Sequence, residues 1–196
     1  MDIGKTMENL KGRGFGVKFF ETGAEAAEYL RSELSGLTVG FGGSKTLQTI
    51  GIADMLDSDK VFWHWGEKRA DTLTNAANAD AYLSSANAIS ESGEIINIDG
   101  TGNRISSLAF GHKKVYIVAG VNKISPNFHT ALDRARNVAA VQNCRRFETK
   151  KTPCKSDGVC HDCRSKDRIC NGLLVLWAPM SGTQTEVVLI NEELGM

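Results

Sequence analysis

The 196-residue sequence predicts an α/β protein, a three-layer α/β/α sandwich with a mostly parallel sheet. Buried-strand patterns alternate with amphipathic helix patterns along most of the chain. The turns between them are short and carry glycine, and two of these turns lead from the end of a strand into a helix. We expect one domain over residues 1–196, with a cysteine-rich irregular insertion at about residues 144–171 and a C-terminal antiparallel hairpin.

Apolar periodicity and turn signals define the individual elements. In chain order they are helix 1–14, strand 15–20, helix 22–34, strand 37–41, helix 44–56, strand 61–65, helix 70–79, strand 81–85, strand 94–98, a helix opening at 103, strand 114–119, helix 125–141, strand 173–177 and strand 185–190. Thr22 and Glu25 form a capping box at one helix start. Ser125 and Pro126 are expected to cap another, and the last two strands to pair as the hairpin.

Composition excludes several classes of function. The chain has 23 Lys and Arg residues against 23 Asp and Glu residues, so it lacks the basic excess of a nucleic-acid or anionic-membrane binder. No run approaches the roughly 18 apolar residues of a membrane span. The N-terminus also lacks the apolar block of a signal peptide, so we expect a cytoplasmic protein.

Two glycine turns are the candidate ligand site, because ligands of parallel α/β sheets bind at the carboxyl ends of strands. Gly42, Gly43, Ser44 and Lys45 follow one strand and suit an anionic group, although neither the Walker nor the dinucleotide fingerprint is met. A plain tight turn remains an equal alternative. The residues of the second turn are Asp99, Gly100, Thr101, Gly102, Asn103 and Arg104.

The second turn combines an acid, a hydroxyl, an amide and a guanidinium. Asp99 could accept a ligand hydroxyl, and Arg104 could clamp a carboxylate. The alternative is structural, with Asp99 capping the helix and Arg104 in a surface pair. Strand alternation places Trp63 and Trp65 on one face, where core packing is favoured over a pocket wall. The four histidines form no hydrolase triad.

All five cysteines lie between Cys144 and Cys170, in a segment with eight Lys and Arg residues and four Asp and Glu residues. The spacing of Cys154, Cys160, Cys163 and Cys170 suits a zinc ion or an iron–sulfur cluster, and Cys144 is a further candidate ligand. A dithiol switch and inert thiols are the alternatives. Bound thiolates would offset the basic excess of the segment.

Long stretches resemble the LUD domain of the lactate utilisation protein C family. The matching residues are 84–89, 93–94, 97–104 and 118–124, together with the turn at 40–46 and the closing run 187–195. The resemblance implies a fold like ribose-phosphate isomerase and CoA transferase, and a role in lactate oxidation beside iron–sulfur partner proteins. The same residues line up with the signature of methylthioribose-phosphate isomerases.

Two departures from that isomerase signature limit what the resemblance implies. Asn87 stands where those isomerases carry their catalytic Asp, and Ile98 stands where they carry Lys. An amide is neither a general acid nor a general base near neutral pH, so the isomerase chemistry is not inherited. A ligand pocket that includes Asn87 can persist without it.

We therefore expect a LUD-domain protein of lactate or 2-hydroxy-acid oxidation that binds a small anionic ligand at the glycine turns, with a cysteine-liganded site. Whether it is an enzyme is open, as is assembly into a homodimer or with iron–sulfur partner subunits. The alternative is a non-catalytic sugar-phosphate or nucleotide sensor, or an assembly subunit, on an isomerase-like fold. A third hypothesis is acyl transfer through Glu91 or Glu94.

Overall fold

The computed structural model describes residues 1–66 and 70–196. Its ten strands, in chain order, are β1 (Gly16–Phe20), β2 (Val39–Phe41), β3 (Val61–Trp63), β4 (Ala81–Ser84), β5 (Ala88–Ser90), β6 (Ile95–Asp99), β7 (Lys114–Gly120), β8 (Ile124–Ser125), β9 (Gly172–Leu176) and β10 (Gln184–Ile190). The helices are α1 (Ile3–Gly12), α2 (Gly23–Glu33), α3 (Lys45–Ile50), α4 (Thr72–Ala77), α5 (Asn103–Ala109), α6 (Phe128–Asp133), α7 (Ala140–Arg145) and α8 (Pro153–Asp157). A π-helical segment, Arg134–Ala139, joins α6 to α7.

Six strands form the main sheet, in the order β1-β10-β7-β4-β2-β3, and every neighbouring pair is parallel. Four strands form a second sheet, in the order β8-β5-β6-β9, whose pairs are antiparallel except for β5 with β8. A parallel main sheet with helices on its faces confirms the predicted three-layer α/β/α class.

The layers follow from which side chains are apolar. Helices α2 and α3 cover one face of the main sheet, where Leu30 and Leu47 pack against Phe41 and Val188. Helices α1, α4 and α5 cover the other face together with the second sheet, which contributes Ile95. The outer face of the second sheet packs against α6. Strands buried on both faces read as continuous apolar runs, which is why β7 and β10 are unmistakable in the sequence.

The predicted C-terminal hairpin is wrong. Strand β9 pairs antiparallel with β6 in the second sheet, whereas β10 lies between β1 and β7 in the main sheet and is parallel to both. Two strands that are adjacent in sequence thus belong to different sheets. Continuous burial of β10 on both faces requires the centre of a parallel sheet, which a surface hairpin cannot provide.

Helix-start signals were informative at one site and misleading at another. The capping box of Thr22 and Glu25 is present as predicted. The predicted cap at Ser125 is wrong, because Ser125 belongs to β8 and the helix begins after Asn127, whose side chain accepts from the Thr130 backbone N–H at 3.0 Å.

Strand β5 was not predicted, and the cysteine-rich segment contains the short helix α8. None of the helices in residues 1–66 and 70–196 is long and apolar enough to cross a membrane.

Candidate functional site

The main candidate site is a cavity of ≈ 930 Å³ at the carboxyl end of the parallel sheet. Residues that follow β2, β3, β4 and β7 line it, and the turn after β6 closes one side. Nine of the eleven predicted ligand-binding residues line this cavity, namely Gly43, Ser44, Lys45, Asn87, Asp99, Gly100, Thr101, Asn103 and Arg104. Gly42 and Gly102 do not. The structure therefore brings both glycine turns to one place, and ligand contact stays a prediction.

The charges around the cavity are strongly unbalanced. Among the described residues, one acidic side chain, that of Asp99, lines it beside six basic residues, which are Lys45, Arg104, Lys123, Arg146, Lys150 and Arg168. Three of these six come from the basic cysteine-rich segment. Two of these three are paired with acids of their own segment, Lys150 with Asp167 at 3.8 Å and Arg168 with Asp162 at 3.0 Å. Among the described residues, Arg146 is therefore the cation from this segment that brings unpaired charge to the cavity. Clefts lined by one sign of charge concentrate ligands of the opposite sign.

Both carboxylate oxygens of Asp99 accept hydrogen bonds from backbone N–H groups. Its Oδ1 accepts from the N–H of Gly100 at 2.7 Å, and its Oδ2 accepts from the N–H groups of Arg104 at 2.8 Å and Ile105 at 3.2 Å. Burial raises the pKa of Asp99, but the Arg104 guanidinium and these N–H groups outweigh it, so the pKa lies below its usual value. The structural role of Asp99 as helix cap is therefore the one that the geometry supports.

Arg104 is not in a surface pair, because only 14% of its side chain is exposed and it faces the cavity. Its Nη2 donates to the carbonyl of Ile98 and lies 3.9 Å from Asp99 Oδ1. Within the described residues, its Nε and Nη1 atoms have no hydrogen-bond partner in the protein. The guanidinium is thus held in place on one edge and free to bind an anion on the other.

The first glycine turn is shaped by the side chains that cross it. A Cβ on Gly42 would lie 2.8 Å from Arg104 Cγ, and a Cβ on Gly43 would lie 2.8 Å from Trp65 Nε1. The Ser44 hydroxyl accepts from the N–H of Leu47 at 3.1 Å and caps α3, which has only six residues. Glycine is required here for close packing, which accounts for the turn without a phosphate loop.

An aromatic and cationic stack forms one wall of the cavity. The Arg146 guanidinium lies 4.3 Å from the ring centroid of Trp65 and 4.2 Å from that of Phe147. Trp63 packs into the core, as predicted, whereas Trp65 lies in a turn beyond the end of β3 and lines the cavity. The predicted strand to residue 65 is therefore two residues too long. Trp63 has the predicted role in the core, and Trp65 has the alternative role in the wall of the cavity.

His64 and Asn87 add neutral polar groups to the cavity. Burial and the nearby cations Arg104 and Arg146 lower the pKa of His64, so its imidazole is neutral near neutral pH. Asn87 Oδ1 accepts from the N–H of Ile98 at 2.7 Å. Its amide nitrogen has no partner among the described residues, so it can donate to a ligand.

Sequence reasoning missed the most unusual residue of the site. Lys123 lies just after β7, is 3% exposed, and is among the residues that line the cavity. Its Nζ donates to Ser85 Oγ at 2.8 Å and to Thr46 Oγ1 at 2.9 Å. The available signal was a lysine between Asn122 and Ile124, within a few residues of the end of the clearest buried strand.

The five cysteines are free thiols, and Cys144 is buried with its sulfur 2.8 Å from the Thr152 hydroxyl. Burial raises the pKa of Cys154 and Cys170, and neighbouring sulfurs, including that of Cys163, act in the same direction on both. In residues 1–66 and 70–196, no three His, Cys, Asp or Glu side chains converge in a geometry that could hold a metal ion. The predicted ligands Cys154, Cys160, Cys163 and Cys170 thus share a segment without forming a coordination shell.

The acyl-transfer hypothesis finds no support at this site. Neither Glu91 nor Glu94 lines the cavity. Glu94 forms an ion pair with Arg13, and Glu91 accepts from the backbone N–H of Asp2 at 2.9 Å.

These features define an α/β domain with a cationic ligand cavity at the carboxyl end of a parallel sheet. A family model of the LUD domain matches residues 3–190, and the chain belongs to the LUD-domain family, which is associated with lactate utilisation. The chain is similar in fold to the crystal structure of a DUF162 family protein from Deinococcus radiodurans, with a TM-score of 0.54 and 14% identity over 96% of this chain and 94% of that chain. No curated protein matches it.

Proposed function

We propose that this protein takes part in lactate utilisation by binding lactate, or a related 2-hydroxy or 2-oxo acid, in the cationic cavity. The observation that carries the proposal is the imbalance of charge described above. Asp99, the one acidic side chain that lines the cavity in the described part of the chain, accepts from backbone N–H groups, whereas Arg104 presents N–H donors that no described residue accepts from. A bound carboxylate would complete the hydrogen bonding of that guanidinium.

Each group around the cavity has a role in this proposal. The Arg104 guanidinium binds the carboxylate, and Asp99 holds the backbone of its turn in place. The amides of Asn87 and Asn103 are placed to recognise a hydroxyl or carbonyl oxygen. Arg146, whose guanidinium contacts the rings of Trp65 and Phe147, supplies further positive charge from the cysteine-rich segment.

The test is a thermal-shift and calorimetric titration with lactate and pyruvate, using the wild type and Arg104→Ala. We expect stabilisation by both acids, and affinity at least about tenfold weaker in the variant, because a charge-assisted bidentate contact contributes roughly 1.5–3 kcal/mol. Arg31→Ala is the matched control, since Arg31 forms an exposed pair with Glu28 on α2. Equal affinities in wild type and Arg104→Ala would refute the assigned role of Arg104.

A second candidate function is a sugar-phosphate or nucleotide sensor. The cavity, at ≈ 930 Å³, has room for a ligand much larger than a three-carbon acid, and the Trp65 and Phe147 rings offer surfaces for a planar group. Stabilisation by phosphorylated sugars or nucleotides, with none by lactate or pyruvate, would favour this function over the first.

A zinc or iron–sulfur site at Cys154, Cys160, Cys163 and Cys170 stays a prediction, as do iron–sulfur partner subunits. The thiols as placed do not fit such a group, so binding requires the segment to rearrange. Metal analysis and visible absorption of anaerobically purified protein test it, with Cys163→Ser as the variant. The prediction is abandoned if neither iron nor zinc is present.

A further inference from the structure

Lys123 lies in surroundings that are unusual for a lysine. Its side chain is 3% exposed, and in the described part of the chain no carboxylate contacts its amine. The two contacts of Nζ are hydroxyl groups, from Thr46 in the first turn of α3 and from Ser85 directly after β4. A buried lysine without an acidic partner is destabilised as a cation, since hydroxyls replace only part of its hydration.

The charged groups that face Lys123 strengthen this effect. Burial lowers the pKa of Lys123 to about 7, and the nearby guanidinium groups of Arg134 and Arg104 act in the same direction. Arg134 is itself fixed, donating to the carbonyl of Asn87 at 2.6 Å and to that of Asn122 at 3.0 Å. A large share of Lys123 is therefore a neutral, nucleophilic amine near neutral pH, which is how lysines are activated for covalent chemistry.

The backbone around Gly195 passes close to this lysine. The Thr46 hydroxyl donates to the carbonyl of Leu194 at 3.3 Å, and a Cβ on Gly195 would lie 3.2 Å from Lys123 Nζ. The glycine at 195, with φ +73°, lets this segment pass over the amine. Lys123 and its hydrogen-bond partner Ser85 both line the cavity, so we place a small molecule bound there within reach of Nζ.

A purely structural role would not require an amine here. A lysine that only tied Thr46 to Ser85 would pay a desolvation penalty that a neutral side chain avoids. Strongly perturbed amines in ligand cavities are instead typical of reacting groups.

We propose that Lys123 is the reacting amine of the cavity and forms a reversible imine with the carbonyl group of a 2-oxo acid. The neutral Nζ attacks the carbonyl carbon, a C–N bond forms, and the carbonyl oxygen takes up a proton to give a carbinolamine. Loss of that hydroxyl as water, with a proton from nitrogen, leaves the imine. No oxidant or reductant is consumed, and the hydroxyls of Ser85 and Thr46 are placed to transfer the protons.

The substrate class follows from the neighbours of the amine. The carbonyl must lie beside an anionic group, because Arg104 lines the same cavity with N–H donors that have no acceptor among the described residues. A 2-oxo acid carries its carboxylate directly next to its carbonyl. The choice of a three-carbon acid as the probe rests on the proposed function, whereas the reactivity of Lys123 does not.

The test is reductive trapping of the full chain with pyruvate and sodium cyanoborohydride, followed by intact-mass measurement and peptide mapping. We expect one reduced pyruvyl group per chain, on Lys123, with labelling at least about tenfold above that of the exposed Lys11 near pH 7. Lactate in place of pyruvate should give no adduct, because it has no carbonyl. Lys123→Arg should lose the adduct, and Lys11→Arg should retain it.

The wild type alone decides the result if Lys123→Arg does not fold, because peptide mapping locates the adduct. Its rate of formation should reach half its maximum near pH 7, rather than near pH 10 as for an exposed lysine. Binding of pyruvate or lactate without an adduct on Lys123 overturns this inference and leaves the proposed function intact. An adduct on Lys123 without any stabilisation by lactate supports the inference and counts against the lactate function, and absence of both refutes the two together.

Discussion

Replacement of Lys123 by methionine should change how the stability of the protein depends on pH. The variant keeps a long, flexible side chain of similar shape but removes the buried amine. In the unfolded chain a lysine has its ordinary pKa of about 10.4, whereas in the folded protein burial lowers it to about 7. The unfolded state therefore binds more protons than the folded state between these two values.

The sign and the size of the effect follow from that difference. Since the unfolded state binds the extra proton, the free energy of unfolding rises with pH from about 7 to about 10, at up to about 1.4 kcal/mol per pH unit. Between about pH 7 and about pH 9, wild-type stability should gain roughly 2 kcal/mol from this group alone. The methionine variant lacks this contribution, and other titrating groups cancel in the comparison.

The assay is urea unfolding of both proteins at several pH values from about 6.5 to about 9.5, with the difference in free energy of unfolding plotted against pH. We expect the free energy of unfolding of the wild type to rise relative to that of Lys123→Met as pH increases. Parallel curves would refute the reasoning, because they would mean that Lys123 holds its proton in the folded state throughout. Lys11→Met is the control, since that lysine is exposed on α1.

Three further outcomes test other parts of the structure. Asp99→Asn should lower the free energy of unfolding at neutral pH by about 1–3 kcal/mol. This loss should disappear as pH falls through the acid range, because folding lowers the pKa of Asp99. Equal urea midpoints of the variant and the wild type at neutral pH would contradict this. Gly43→Ala should displace the Trp65 indole, which would change tryptophan emission and weaken binding of anions, and an unaltered spectrum would speak against the close packing. Asn127→Ala should lower the free energy of unfolding by about 1 kcal/mol through loss of a helix cap, which is measured as a lower Tm. An unchanged Tm would mean that Asn127 is not the cap and would favour Ser125.

Local signals in the sequence were reliable where the interaction itself is local. The capping box of Thr22 and Glu25 satisfies backbone groups within three residues, so nothing distant can displace it. The Asn127 cap was missed because Ser125 and Pro126 offered an equally good local signal, and only the pairing of β8 with β5 removed Ser125 from consideration. Pairing partners of strands depend on long-range register, which short patterns do not encode.

The glycine turns of the candidate site also have one property that the sequence predicted and others that it did not. Their position at the ends of strands predicted that they would meet at one edge of a parallel sheet, and they do meet around one cavity. The second turn, however, follows β6, which lies in the second sheet and pairs antiparallel with both of its neighbours. The reason for glycine at Gly43 could not be read from the turn itself, because it lies in Trp65, a residue from a different strand end. Likewise, the commitment of Asp99 to backbone N–H groups depends on the detailed path of its own turn.

By itself the sequence determined the α/β class and the family resemblance, and it predicted a candidate site at the carboxyl ends of strands, because alternation of elements and short motifs are local properties of the chain. Only the tertiary structure decided that β9 and β10 lie in different sheets, that six basic side chains among the described residues share one cavity, and that Lys123 is buried with no acidic partner in residues 1–66 and 70–196. The physical reason is that burial and charge environment are properties of residues distant in sequence. Lysine is ordinarily a solvated cation, and its conversion to a neutral amine requires the enclosure that three strand ends and the segment around Gly195 provide together.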